Sequence, residues 1–214
     1  MGKVKIRAFI LAVVAMLLVA CSDGEKTTKN MIQQKDFSDG DHLLKAVVGD
    51  KSFYYEYSAE KGKFLRVWVE RYEYGKLAEK AGGVGIGMTE DAKGEMLFYF
   101  LEDSEWDNFY LRKVITDESG YAVSNSQIPK PDEKLGAGTW GPVINDKMEF
   151  TEDMVLGYMA FFEADDGNSV SFRTNVTDPK EFIEENGDVP LLYLIRASLS
   201  DEDEWDWNNE TGKE

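Results

Sequence analysis

Residues 53–69 read FYYEYSAEKGKFLRVWV. Two runs of aromatic and β-branched residues flank a short loop that carries Gly62. Such residues favour a pleated, half-buried backbone, and glycine supplies a turn conformation that side chains resist. The stretch therefore predicts a β-hairpin, with strands at 53–57 and 64–69.

Outward from that centre, strands continue to dominate. Residues 43–48 are a short apolar run that stops at the turn signal Gly49-Asp50. Residues 74–81 predict a helix ended by Gly82-Gly83, and 84–88 a thin strand. Residues 96–101 are apolar enough for a strand buried on both faces, and 109–115 alternate as a further strand. Residues 117–147 hold three of the five prolines and four glycines, which predicts a long connection. Strand pattern returns at 158–162. Asp178-Pro179-Lys180-Glu181 then opens a helix, with Asp178 as cap, Pro179 in the first turn and Glu181 at capping-box spacing. Asn186-Gly187 ends it, and 189–199 form the last strand, with Pro190 at its very start.

Displaced by 105 positions, the two halves align: Gly62 falls on Gly167, Gly82 on Gly187, Leu65 on Val170 and Leu77 on Phe182. The identities over residues 62–82 are only Gly62, Glu79 and Gly82, and two unrelated hairpin-helix pieces are the alternative. The expected fold class is α+β, antiparallel-sheet-rich, as a tandem ββαβ repeat with units 41–116 and 148–200. A β-sandwich is the alternative fold.

Near the N-terminus, Lys3, Lys5 and Arg7 precede thirteen apolar residues that run from Ala8 to Ala20 and stop at the single cysteine. Thirteen residues make a helix of about 20 Å, too short for a bilayer core of roughly 30 Å. The parts match a cleaved secretory signal. Leu18-Val19-Ala20-Cys21 resembles the lipobox of bacterial lipoproteins. That resemblance implies a signal peptide at 1–20, diacylglyceryl transfer to Cys21, cleavage before it, and acylation (palmitate) of the new amino terminus. It implies a protein lipid-anchored on the extracytoplasmic face of a bacterial membrane. Residues 21–36 then read as a polar, flexible tether of about 20 Å reach, 37–200 as the globular body and 201–214 as an acidic tail.

The full chain carries 24 basic and 41 acidic residues, a net charge of −17; loss of residues 1–20 removes three basic residues and brings it to −20. A nucleic-acid partner is excluded, because such affinity comes from neutralising phosphates. Twenty-seven aromatic residues argue against intrinsic disorder. With Cys21 lipidated, the mature chain has no disulfide, so packing must stabilise it.

Catalytic motifs are sparse. His42 is the sole histidine, in a polar turn, which leaves a Ser-His-Asp triad or a histidine-rich zinc site with one member. Residues 82–87 are glycine-rich but lack the spacing and context of a phosphate cradle. Asp103, Glu105 and Asp107 begin like a calcium loop, yet Asn108 and Val114 stand where Gly and Glu are needed. Trp106, Trp140, Trp205 and Trp207 occupy loop-like contexts, as sugar platforms, interface anchors or core covers, the last favoured for Trp140. Asn175-Val176-Thr177 is a sequon. No pair of carboxylates stands out as a glycosidase couple.

The expected function is a non-catalytic binding or envelope-interaction module, with no catalytic residue, metal ligand or cofactor assigned and Cys21 as the one site. Its partners are the membrane, through Cys21, and an envelope protein or glycan. The alternative is a carbohydrate- or cation-binding accessory protein, or a carboxylate-based extracytoplasmic hydrolase.

Overall fold

The computed structural model describes residues 29–37, 41–102, 108–129, 131–163 and 172–201. Cys21, Asp103, Glu105, Trp106, Asp107, Gly167, Trp205 and Trp207 lie outside the described residues. The described residues form thirteen elements, numbered in chain order. Sheet A draws on β1 (Met31–Gln34), β2 (Ser52–Ala59), β5 (Ala92–Glu102), β6 (Asn108–Asp117), β7 (Gly120–Pro129) and β9 (Met148–Glu149). Sheet B draws on β3 (Phe64–Glu73), β4 (Lys76–Gly87), β8 (Ala137–Pro142), β10 (Met154–Phe162) and β11 (Leu191–Ser200). The helices are α1 (His42–Val48) and α2 (Pro179–Glu185). Sheet A has the order β7-β6-β5-β2-β1-β9 and sheet B β4-β3-β11-β10-β8.

All pairings are antiparallel. The protein is therefore antiparallel-sheet-rich, and of the two expected arrangements the two-sheet sandwich describes it better. Alternate residues of both sheets meet in one core: Ile32, Tyr55 and Phe98 from sheet A face Leu65, Val67, Leu156 and Tyr193 from sheet B. Tyr55 Oη donates to the Leu156 carbonyl at 2.6 Å across the sandwich. That bond satisfies a hydroxyl that would otherwise be costly to bury.

Residues 53–69 do not form a hairpin. β2 pairs with β1 and β5, whereas β3 pairs with β4 and β11, so the loop carries the chain from one sheet to the other. The loop backbone explains why. Gly62, at φ +86°, donates to the Met88 carbonyl, and Met88 donates to the Lys63 carbonyl. The turn, closed by Lys63 donating to the Glu60 carbonyl at 3.2 Å, is thus also held against the β4–β5 connection. Strand propensity is the same in a hairpin and in an arch, and long-range pairing decides between them.

The duplication also fails. Residues 74–81, expected as helix, are a turn at Tyr74-Gly75 followed by the start of β4, while the aligned segment is helix α2. Leu77 is exposed in place of the buried contact of its aligned Phe182. Gly75, at φ +71°, allows β3 to reverse directly into β4, and pairing with β3 outweighs a weak helical preference. The connection expected at 117–147 contains β7 and β8. Their small, polar and glycine-containing sequences hid them, because only Ser126 and Ile128 of β7 are fully buried.

Residues 31–34, expected within the flexible tether 21–36, are a strand instead. Met31–Gln34 forms β1 between β2 and β9, with Ile32 in the core. Asn30 exchanges two hydrogen bonds with Glu60, at 2.8 and 2.9 Å, and Lys29 lies 3.0 Å from the same carboxylate. Partners on β2 and β9 compensate backbone groups that polar composition alone would leave to water.

Helix α2 matches its expected signals. Asp178 Oδ1 accepts from the Glu181 amide at 2.9 Å, and Pro179 opens the first turn. The helix packs on the outer face of sheet B, where Phe182 meets Tyr158, Val155, Leu192 and Leu194. Sheet B is thus covered on both faces.

Candidate functional site

Among the described residues no strand lies over the outer face of sheet A, and its composition breaks the usual rule for such a face. An antiparallel sheet with one side toward solvent normally alternates apolar inward with polar outward. Here Val123 of β7 sits opposite Val114 of β6, Val114 opposite Leu97 of β5, and Leu97 opposite Tyr54 of β2. All four point outward, since their chain neighbours Phe53, Tyr55, Met96, Phe98 and Ile115 belong to the core. Leu101 and Tyr110 form a second outward pair. An apolar row therefore crosses four strands on the outside.

Helix α1 lies over this face. It touches β5, Phe37 in the segment before it stacks on Tyr54 at 5.3 Å, and Asp41 is near enough to act on the Glu95 carboxyl. Val48 turns inward, whereas Leu43 and Val47, four residues apart and so on one side of the helix, are 84% and 69% exposed. Leu101, Val123 and Tyr121 (40%, 44% and 74% exposed) share the outward phase of sheet A. Polar groups border the row. Arg112 Nε donates to Asn125 Oδ1 at 2.9 Å, and Lys35 pairs with Glu95 beside Tyr54. The result is an apolar strip with charged margins.

The Lys35–Glu95 pair gives the face a pH signature. Burial disfavours the Glu95 carboxylate, but hydrogen bonds from the Lys35 ammonium and the Tyr54 hydroxyl outweigh it and hold the carboxyl below its ordinary range. The Glu95 bond, as the largest influence, raises the Lys35 ammonium above its ordinary value. A carboxyl depressed in the folded state stabilises above its unfolded value and loses that contribution as pH falls through the folded one. A raised lysine stabilises below its unfolded value, and that contribution is lost as pH rises through the folded one. Lys35→Met should therefore lower the melting temperature between about pH 5 and pH 10. The effect should be at most about 1 kcal/mol, since both side chains are over a third exposed. Melting curves of both proteins should converge at either extreme of pH.

Two other polar clusters have structural explanations. On the outer face of sheet B, Glu70 accepts from Trp68 Nε1 at 3.0 Å, from Tyr72 Oη at 2.8 Å and from Arg196. Arg196 also reaches Asp153 and lies 5.4 Å over the Trp68 ring. Glu70 and Arg196 are nearly fully buried, and each neutralises the other. Inside the sandwich, the buried Lys113 donates to Ser126, whose hydroxyl donates to the Gly82 carbonyl at 3.2 Å and so ties β7 to β4. A shallow groove of about 340 Å³ beside α2 is lined by Arg173, Asn175, Asp178, Glu181 and Glu185, and the sequon asparagine is exposed there.

Residues singled out in the sequence are scattered. His42 is the exposed first residue of α1, and Gly82, Gly83, Gly85 and Gly87 are strand residues of β4. Trp140 lies on edge strand β8, 39% exposed, with Lys51 Nζ 5.3 Å from its ring. It is more open than a core cover would be. Among the described residues no three of His, Cys, Asp and Glu gather as metal ligands. Among the described residues the carboxyls with displaced ionisation, Glu60, Glu95 and Asp117, are held low. A general acid needs the opposite displacement. The apolar row was present in the sequence as the continuous run at 96–101, but the structure buries only its inward positions fully together with Tyr99, and leaves Leu97 and Leu101 outward.

No curated protein and no solved structure matches this chain. A family model does match, over residues 31–196, from the first residue of β1 to within β11. That span takes in nearly the whole sandwich, and the chain belongs to the YgaN domain family.

Proposed function

We propose that this chain is a lipid-anchored, extracytoplasmic binding module of the bacterial envelope, acting by contact and without turnover. The observation that carries the reading is the outward apolar row of sheet A, covered by α1 and Phe37 at its Tyr54 end and 44% exposed at Val123. The resemblance of residues 18–21 to a lipobox supports the attachment, and the low-held carboxyls support contact over acid catalysis. A net charge of −20 after removal of residues 1–20 favours rapid capture of a basic or cation-bearing partner, weakening as salt rises.

Fatty-acid labelling of cells and crosslinking on intact cells test the two halves of this reading. Label should follow Cys21 and vanish in Cys21→Ser, while crosslinking should return a recurrent, salt-sensitive envelope partner. Label retained in Cys21→Ser would remove the anchor. Robust hydrolysis of a glycan or ester by the purified protein, lost on replacing one carboxylate with the fold intact, would place it among enzymes instead.

A further inference from the structure

We infer that the outer face of sheet A, with Leu43 and Val47 of α1, rests on the lipid surface to which the chain is anchored. This rests on the anchor reading and names the partner of that face.

Chain length is the first argument. Only seven residues, 22–28, separate Cys21 from Lys29, where the chain is already held by Glu60. Fully extended, the chain from Cys21 to Lys29 spans roughly 28 Å. From the row of Met31, Ser58 and Lys93 to Leu101 the sheet runs eight residues along β5, also about 27 Å. The whole open face therefore stays within reach of the head groups. A tether this short holds the face at an effective concentration on the order of millimolar, so a surface too weak to bind lipid from solution suffices once anchored.

Charge is the second argument. The opposite side of the sandwich carries α2 and its surroundings, where Asp178, Glu181, Glu184, Glu185 and Asp188 outnumber Lys180 and Arg173. An anionic lipid surface repels that side. The open face sets Lys35, Lys45, Lys93 and Arg112 against Asp41, Glu56 and Glu95 beside its apolar row, and is the less acidic of the two sides. Laying sheet A down turns the acidic side outward, free to meet a basic partner.

Side-chain chemistry is the third. Tyr121 and Tyr110 stand on the outward side of the sheet near Val123 and Leu101, a mixture of amphipathic rings and aliphatics that suits a water–lipid boundary.

The mature chain has one cysteine, lipidated on this reading, so a new cysteine takes a label uniquely. The experiment places an environment-sensitive fluorophore at Val123→Cys, or at Lys180→Cys on α2, in the lipidated protein reconstituted into phosphatidylethanolamine–phosphatidylglycerol vesicles. Nitroxide-bearing lipid is the quencher. The Val123 label should be quenched severalfold more than the Lys180 label. Leu43→Asp with Val47→Asp should cut that difference at least by half, without moving the melting temperature or the flotation of protein with vesicles. Flotation with equal quenching at the two positions would overturn the resting face and leave the anchor standing. Loss of flotation by the lipid-bearing protein would overturn both. Shielding of Val123 that depends on protein concentration and not on lipid would assign the face to a second copy or another protein, and overturn the proposal.

Discussion

Arg196→Met should destabilise the protein by about 3 kcal/mol, because it leaves the buried Glu70 carboxylate with only the part-exposed Lys80 ammonium, 3.5 Å away, as counter-charge. Glu70 is 3% exposed and Arg196 5%, so water cannot replace the lost partner. For a domain of this size the loss corresponds to a fall in melting temperature on the order of 10 °C. The double variant Glu70→Leu with Arg196→Met removes both charges at once. It should recover most of the stability, since the attraction between buried charges roughly offsets the cost of their dehydration. Some loss should remain, because Trp68 Nε1 and Tyr72 Oη lose their acceptor. Equal stability of Arg196→Met and the natural chain in thermal or urea unfolding would show that solvent reaches the cluster.

Phe182→Ala should cost a similar amount, about 3–5 kcal/mol, for a different reason. Phe182 is completely buried between α2 and sheet B, with ring centres 5.9 Å from Phe172 and 6.1 Å from Tyr158. Helix α2 has seven residues, too few to persist without tertiary packing. Truncating its anchor leaves a cavity, and undocking the helix instead would expose Tyr158, Val155 and Leu194. Hydrogen exchange separates the two: amides of α2 should lose protection first, ahead of β10 and β11. A loss below about 1 kcal/mol with α2 still protected would show that the cap and Val189 hold the helix without Phe182.

The sandwich face and the ionic cluster differ in how much of them the sequence discloses. Leu97 and Leu101 belong to an apolar run that is visible at once, yet a run of that kind reads equally as a strand buried on both faces. Only the partners across the sheet show that Tyr54, Leu97, Val114 and Val123 line up outward. Glu70 and Arg196 are separated by 126 residues, and nothing local marks either as buried. Their meeting follows from β3 and β11 being neighbours in sheet B.

What the sequence determined by itself is whatever depends on local chemistry. Alternation and β-branching marked β2, β3, β6, β10 and β11. Asp178, Pro179 and Glu181 set the start of α2, because a cap acts on amides three residues away. The lipobox-like address, the acidity and the scarcity of histidine and cysteine are likewise properties of composition and spacing. The tertiary structure alone decided pairing. It made an arch of 53–69, a strand of residues expected as helix at 74–81, and an interior strand of Met31–Gln34 from a polar stretch. The physical reason is common to all three. Backbone hydrogen bonds to a distant strand, with burial of alternate side chains, exceed propensity differences of less than about 1 kcal/mol per residue. Those distant partners are set by the whole chain folding together.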